Sequence, residues 1–514
     1  LVTAASHFAS AAEAFKEDAP APPDDKKLPA VWEWVARARS EQVEMLLRAG
    51  KHQEVLAIAE KFLGQKWAQR SQYASLVRYH HGFSAFRLGA LSTAKDSLEK
   101  VQLFGDLAFR VYAEHAHYLL GRAKHLSEEN EGAFDAYNLV LSRYQKARVD
   151  AGAALKDPEA LKKNPVERRR LESLVNSPPP EHVERARYYR GALFFEENKH
   201  EEALKAFIEF AQAHPESALL PDALLRRGMS LWNLSRYSES LEVLNPLIQG
   251  APRLADEAYL WLGKALVSIG QSAKPEDQDK AFQGAMENFR KSIELLKPKS
   301  ATDAAAKKRL SEVLIHLSDT QMLTKNYKDA GANYVEILKL GAASARTEEL
   351  LYRQATALHL AGEYAESDKL CAQFIVTYPD SGLKAQILFR MAENGFFQAT
   401  ALEKGLPPES ADRSQQIQTA YAEAGKRYQK VVDGHADFQH LNLARLGLAA
   451  SLYRQQKFKE ADAALAPVAP EELSGELAQG LSLRADCLLR QVPDFWDKEA
   501  DRATRDTLLD EAIK

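Results

Sequence analysis

Five histidines are the residues of this chain whose type and spacing could do chemistry. They stand close together in the sequence, at His80, His81, His115, His117 and His125. Imidazole binds zinc and exchanges protons near neutral pH, so facing helices could assemble such residues into a metal site. However, His115 and His117 are two residues apart, on different faces of a helix, and no pair has i, i+4 spacing with a nearby carboxylate. We therefore interpret them as surface or packing residues and predict neither a metal site nor a cofactor.

Other catalytic signals are missing from the sequence. It contains no Gly-x4-Gly-Lys, no Gly-x-Gly-x-x-Gly, no His-Glu-x-x-His and no Gly-x-Ser-x-Gly. The two cysteines, Cys371 and Cys487, lie 116 residues apart. Helices stacked over that length would separate them by on the order of 25 Å, far beyond the roughly 7 Å that a disulfide allows. We predict two free thiols and interpret Cys371 as a small buried hydrophobic residue.

The composition and net charge of the chain limit the kinds of partner that it is expected to bind. The 514 residues are 45% hydrophobic and 27% charged, and the net charge is −4. This balance gives no electrostatic reason to expect nucleic acid or an anionic membrane as a partner. No apolar run approaches the roughly 18 residues of a membrane-spanning helix, so we predict no transmembrane segment.

A helical hairpin recurs in the middle of the chain with a step of 37 residues. The matching pairs are Gly191 with Gly228, Ala203 with Ser240, Phe207 with Leu244, and Pro215 with Pro252. A fixed period of this size is typical of a stacked repeat array. Apolar residues recur at i, i+3, i+4 and i+7 through almost every segment, without strand alternation, which predicts an all-α fold.

The hairpins resemble the tetratricopeptide repeat family. In that family, helix A carries a bulky residue, Leu and a small residue, helix B carries Ala, an aromatic and a small residue, and Pro closes the unit. Gly191 takes the small position of helix A, Ala203 the small position of helix B, and Phe207 the large position that fills the gap between helices. The resemblance implies a right-handed superhelical solenoid of about nine or ten such hairpins.

Breaks in the repeat pattern divide the chain. The expected segments are an N-terminal segment with a Pro-rich linker, a first array, a charged and Pro-rich insertion or linker, and a second array, at residues 1–29, 30–146, 147–182 and 183–514. Shorter insertions stand at 271–280 and 400–415. No segment free of repeats is long enough for a catalytic domain, so we predict that the protein is not an enzyme.

Helix A of each unit lines the inner groove of a stacked array, so its exposed positions form the candidate binding surface. Aromatic and methionine side chains there suit an apolar peptide or helix as the ligand. The repeat frame assigns to this groove Tyr188, Phe195, Met229, Trp232, Met322, Tyr352, Phe389, Phe396, Phe397 and Tyr453. The alternative is that many of these side chains pack between units.

The junctions between hairpins carry a second resemblance. Residues 213–228 read AHPESALLPDALLRRG and residues 377–392 read TYPDSGLKAQILFRMA. This Pro-(Asp/Glu)-Ser junction before an apolar helix is similar to repeats of bacterial envelope proteins, among them outer-membrane assembly lipoproteins and the periplasmic coordinator of the Tol–Pal system. The resemblance implies a periplasmic or envelope location, with the cytoplasm as the alternative. The start at Leu1 would fit removal of a signal peptide.

These features predict a non-enzymatic scaffold that holds partner proteins in a concave groove within a bacterial envelope assembly. The alternative is a constitutive structural subunit of a large multiprotein complex. Both hypotheses expect other proteins as partners, with any membrane association made through those partners.

Overall fold

Helices form the regular structure of this chain. The computed structural model describes residues 1–17, 28–101, 110–157, 164–410, 412–492 and 499–513. In these ranges the regular elements are α-helices and short 3-10 turns, which confirms the expected all-α fold. None of the helices described combines the length and the apolar character needed to cross a bilayer. The helices form two compact units, Leu1–Leu254 and Ala255–Lys514.

The first unit is a series of helical hairpins. Its helices are α1 (Val2–Glu17), α2 (Ala30–Arg48), α3 (His52–Leu63), α4 (Ala74–Arg87), α5 (Leu91–Glu99), α6 (Arg110–Leu126), α7 (Asn130–Ala154), α8 (Pro165–Asn176), α9 (Glu181–Glu196), α10 (His200–Ala213), α11 (Leu220–Asn233), α12 (Tyr237–Leu244) and α13 (Leu247–Gly250). From α1 to α7 each helix packs against the next, and α7 contacts both α8 and α9. Such local packing lets each hairpin bury its apolar faces against its neighbours.

The second unit repeats this arrangement with several longer helices. They are α14 (Ala255–Ser272), α15 (Pro275–Ser300), α16 (Ala304–Leu323), α17 (Tyr327–Leu340), α18 (Thr347–Leu360), α19 (Tyr364–Thr377), α20 (Lys384–Gly405), α21 (Arg413–Gly434), α22 (Leu441–Arg454), α23 (Phe458–Leu465), α24 (Gln479–Leu489) and α25 (Glu499–Ile513). Consecutive helices again pack against each other.

Helix A and helix B approach closely where a glycine faces a large side chain. A methyl group at Gly191 would stand 3.0 Å from the ring of Phe207, and one at Gly263 would stand 2.4 Å from the ring of Phe289. Both rings are fully buried. The predicted small and large positions of the first of these hairpins are therefore confirmed, and the ring fills the space that the missing side chain leaves.

Replacing Gly263 with Ala is expected to lower the free energy of unfolding by about 1–3 kcal/mol, because the added methyl overpacks Phe289. Gly284, on the facing helix α15, is the matched control, since a methyl there would meet only Leu266 at 3.4 Å. Gly284→Ala should raise the same free energy by about 0.5–1 kcal/mol through helix propensity alone. Urea unfolding measures both variants, and a Gly263→Ala protein as stable as the wild type would contradict the close approach.

Serines at three junctions tie consecutive hairpins together. Each serine hydroxyl accepts a hydrogen bond from the backbone N–H of the residue two positions later. It also donates a hydrogen bond to a glutamate in the first turn of the preceding helix A. The sets are Ser71 with Tyr73 and Glu33, Ser217 with Leu219 and Glu184, and Ser381 with Leu383 and Glu348. The serine of the Pro-(Asp/Glu)-Ser junction therefore fixes the start of one helix A beside the start of the previous one.

Replacing Ser381 with Ala is expected to lower the free energy of unfolding by about 1–2 kcal/mol, because the Glu348 carboxylate and the Leu383 N–H lose their partner. In the native protein these two bonds measure 2.5 Å and 3.1 Å. Ser414, which is exposed on α21, provides a control whose change to Ala should stay within about 0.5 kcal/mol. Equal stability of the two variants in urea would show that the junction serine is dispensable.

The interruptions of the repeat pattern mostly become longer helices. Around 271–280, α14 has 18 residues and α15 has 26, and around 400–415 both α20 and α21 have 22. Within 147–182, α8 packs against α7, and Arg148 donates to the Val175 carbonyl at 2.7 Å. Residues 18–27, 158–163 and 411, which belong to predicted linkers or insertions, lie outside the described residues. The division of the chain into two arrays at 147–182 stays a prediction.

Candidate functional site

A cavity of about 810 Å³ opens in the second unit between three successive helix A elements, α20, α22 and α24. Four of the ten predicted groove residues line it, namely Phe389, Phe396, Phe397 and Tyr453. Its volume lies within the range of about 300–1,000 Å³ that ligand pockets occupy. The structure thus brings these four side chains, which stand on the helix A elements α20 and α22 of two successive hairpins, to one place.

One wall of the cavity is aromatic and belongs to α20. Phe389, Phe396 and Phe397 share a face of this helix because their spacing follows its turns. Phe396 lies 6.0 Å from Phe397 between ring centroids, and Phe397 stacks on Tyr364 at 5.2 Å with an interplanar angle of 10°. Phe397 remains 40% exposed, so this wall offers an ordered aromatic surface to a ligand.

The opposite wall comes from α24 and the 3-10 turn Gly475–Leu477 before it, and it is acidic. It presents Glu476 and Asp486 to the cavity, together with Gln479 and Ser482. The hydroxyl of Tyr453, on α22, donates a hydrogen bond to Asp486, which fixes the orientation of that carboxylate. A ligand in this cavity would therefore meet aromatic rings on one side and carboxylates on the other.

The remaining charged residues of the lining are paired. Glu393 accepts a hydrogen bond from Arg390 at 2.7 Å, and burial raises the pKa of this carboxyl above its usual value. Arg454 lies 3.2 Å from the Glu403 carboxylate. Arg390 and Glu403 offset these two charges at short distance, whereas Asp486 faces Arg490 at 3.8 Å in a pair exposed to solvent, so Glu476 and Asp486 carry most of the charge that the cavity presents.

The predicted groove residues of the first unit lie elsewhere. Tyr188 is only 7% exposed and packs with Phe207 and Phe210, so it belongs to the core instead of an open surface. Arg226 donates a hydrogen bond to the Tyr188 hydroxyl at 3.2 Å, and its guanidinium lies 5.6 Å from the centre of the Phe195 ring. Phe195 is half-buried beside this core.

The other four predicted residues are also half-buried and do not line the cavity. Met229 and Trp232 stand on α11, where the Trp232 ring is 6.5 Å from that of Tyr237. Met322 packs against the core around α16, and Tyr352 against the core around Cys371. The assignment of these residues to a binding groove stays a prediction.

Four of the five clustered histidines of the first unit are hydrogen-bonded to separate partners. The pairs are His81 with Ser97 at 2.7 Å, His115 with Tyr79 at 2.7 Å, His117 with Arg143 at 2.8 Å, and His125 with Glu196 at 2.7 Å. Burial lowers the pKa of His80, His115 and His117 to about 4. Within the described part of the chain, no group of three His, Cys, Asp or Glu side chains is placed to hold a metal ion.

Both cysteines are free and buried. Burial raises the pKa of Cys371 to about 12 and that of Cys487 to about 11, so neither thiol ionises near neutral pH. Cys371 is 0% exposed and contacts the core around Phe374, which agrees with its interpretation as a small hydrophobic residue.

Two features of the structure have a signal in the spacing of the repeat, namely the bonds of the junction serines and the acidic wall of the cavity. The junction serines Ser217 and Ser381 each bond a glutamate 33 residues earlier, and this common spacing marks them. The acidic wall follows from the repeat frame, because α24 is the next helix A after α22 and carries Asp486 facing Tyr453. The spacing of the repeat could therefore have indicated both.

Comparison with known proteins finds the tetratricopeptide repeat in both units. The family model matches residues 185–217 and 349–381. Each matched segment ends at a junction serine, Ser217 or Ser381. The chain therefore carries tetratricopeptide repeats, as its hairpin pattern predicted.

One curated relative and two solved structures illustrate the similarity. The outer membrane protein assembly factor BamD of Rickettsia prowazekii is 26% identical over 203 residues, which are 38% of this chain and 80% of that protein. The C-terminal part of a TPR repeat-containing protein from Cytophaga hutchinsonii is 14% identical, with 56% of this chain and 98% of that one covered at a TM-score of 0.37. A thermophilic TPR protein of Thermus thermophilus is 18% identical, with 41% and 98% covered at a TM-score of 0.27.

Proposed function

We propose that the protein is a non-enzymatic scaffold that binds a segment of a partner protein in the cavity between α20, α22 and α24. The observation that carries this proposal is the meeting of Phe389, Phe396, Phe397 and Tyr453 around one cavity. Aromatic side chains clustered in a concave site are the usual anchors of protein–protein recognition. Repeat arrays in general present such concave surfaces to extended or helical segments.

The cavity suits binding because its walls are held in place before a ligand arrives. Phe396 packs against Tyr421 at 5.4 Å, and Phe389 packs against Tyr428 at 6.1 Å. Tyr428 in turn approaches Gly447 so closely that a methyl group there would stand 2.3 Å from its ring. The cavity is therefore already ordered before binding. Only the partner segment would lose conformational freedom when it binds.

We further propose a bacterial envelope assembly as the setting. The similarity to an outer membrane protein assembly factor and the Pro-(Asp/Glu)-Ser junctions support this location. The protein expressed from its native gene in its own bacterium should then be released by osmotic shock together with a periplasmic marker. Retention with the cytoplasmic fraction would contradict the envelope setting and leave the binding cavity untouched.

Site-specific photo-crosslinking tests the binding cavity itself. A benzoylphenylalanine placed at Phe396 in the native bacterium should form a discrete adduct with a partner protein. Val376, 83% exposed on α19 and outside the cavity lining, is the matched control position and should form none. Phe397→Ala should reduce the adduct from position 396 while circular dichroism shows an unchanged helical content.

The same experiment addresses the alternative of a constitutive structural subunit. A structural subunit would make its contacts outside the cavity, and position 376, which is 83% exposed and does not line the cavity, reports on contacts of that kind. Adducts from position 376 and none from position 396 would replace the cavity proposal with the structural one.

A further inference from the structure

The two walls of the cavity in the second unit differ in chemistry. Phe389, Phe396 and Phe397 form the wall on α20, whereas Glu476 and Asp486 stand on the wall formed by α24 and its preceding turn. An apolar ligand would satisfy only the first wall. A ligand that is apolar on one side and cationic on the other would satisfy both.

The charge of the acidic wall is poorly compensated by the protein. Glu476 is exposed and has no ion-pair partner among the described residues. Asp486 accepts a hydrogen bond from the Tyr453 hydroxyl, and among the described residues the cation paired with it is Arg490, at 3.8 Å. That i, i+4 pair is 58% and 42% exposed, so solvent screens it and it contributes little.

Other cations near the cavity are already engaged. Arg454 faces Glu403 at 3.2 Å, and Arg390 bonds Glu393 at 2.7 Å. Of the four charged residues in the lining, three are acidic and one is basic, so the lining is negative overall. This field attracts a positively charged segment and repels an acidic one.

We infer that the cavity selects a partner segment in which a lysine or arginine stands near a bulky apolar residue. This inference rests on the proposed function of the same cavity. The apolar residue packs on the α20 rings, and the cation reaches Glu476 and Asp486. The Tyr453 hydrogen bond holds the Asp486 carboxylate in one orientation. The position of this carboxylate relative to the aromatic wall therefore sets how far along the bound segment the cation lies from the apolar residue.

Selection from a displayed library of random dodecapeptides tests the inference on the full chain. Peptides retained by the wild-type protein should be enriched in Lys or Arg a few positions from Phe, Trp or Leu. Synthetic copies should bind the double variant Glu476→Gln/Asp486→Asn about tenfold more weakly than the wild type. The change Asp486→Asn keeps an acceptor for Tyr453, so the cavity should retain its shape.

Two reference proteins make the result decisive. The double variant Glu287→Gln/Glu294→Gln removes the same net charge from exposed positions on α15, outside the cavity lining, and should bind the peptides like the wild type. Phe396→Ala removes part of the aromatic wall and should also lower the affinity for the same peptides.

The possible outcomes separate the two proposals. Peptides that need Phe396 but bind equally without the acidic wall would overturn the inference and leave the binding cavity intact. If the affinity of the peptides falls equally for both charge variants, the attraction is to any acidic surface of the protein, and the inference is overturned as well. If no selected peptide responds to Phe396→Ala, the cavity is not the binding site and the proposed function itself fails.

Discussion

Replacing Phe289 with Ala is expected to lower the free energy of unfolding of the second unit by about 3–5 kcal/mol. The ring is 0% exposed and fills the gap left by Gly263, whose missing side chain lets α14 and α15 approach. It also stacks on His316 of the next hairpin at 5.9 Å, so its loss leaves a cavity that borders two hairpins. Neighbouring helices held by the same core relax only partially into such a space.

Urea unfolding, combined with hydrogen exchange of the α14 and α15 amides, measures this effect. Leu295 stands on the same helix and is 36% exposed, which makes it the matched control. Leu295→Ala should lower the free energy of unfolding by about 1 kcal/mol, because part of this side chain stays in water and its removal opens no enclosed cavity. A loss below about 1 kcal/mol for Phe289→Ala would mean that this ring does not fill a tight core.

Acid is expected to destabilise the protein by about 2 kcal/mol between pH 7 and pH 5 through His80 alone. Burial lowers the pKa of His80 to about 4, whereas a histidine in the unfolded chain titrates near 6.5. Neither ring nitrogen of His80 has a hydrogen-bond partner among the described residues, so nothing there accepts the proton of the charged form. Since the folded pKa is the lower one, the full stability is present above about pH 6.5 and is lost as the pH falls toward 4.

The variant His80→Leu isolates this contribution, because it keeps an apolar side chain of similar size at the buried position. Its free energy of unfolding should fall less between pH 7 and pH 5 than that of the wild type, by about 2 kcal/mol. The interval from pH 7 to pH 5 lies above the ordinary pKa of carboxyl groups, so protonation of carboxylates contributes little to the change in the free energy of unfolding. His7→Leu, at an exposed position on α1, should follow the wild-type curve. Identical curves for wild type and His80→Leu would show that His80 is not buried in its neutral form.

Much of the fold was predictable because the repeat is a local property. The 37-residue step and the 3.6-residue apolar period identify helices and their pairing, since each hairpin packs on the next along the chain. The small and large positions, such as Gly191 and Phe207, follow from the same frame. The sequence also correctly indicated tetratricopeptide repeats at residues 185–217 and 349–381.

The candidate site was predictable only in part. The position of a residue in the sequence assigns it to helix A. Which face of that helix remains exposed depends on how the next hairpin packs against it. A shift of one residue turns a side chain by about 100°, enough to move it from groove to core. Tyr188 is buried in a core, whereas Phe397 remains 40% exposed.

The sequence by itself therefore determined the architecture and the kind of side chain that helix A offers, because periodicity and helix pairing are encoded within each hairpin. Only the tertiary structure decided which of these side chains meet. It joined Phe396 to Tyr453 around one cavity and set Asp486 opposite the aromatic wall. The physical reason is that distance between side chains on separate hairpins depends on helix packing, which residue spacing alone does not specify.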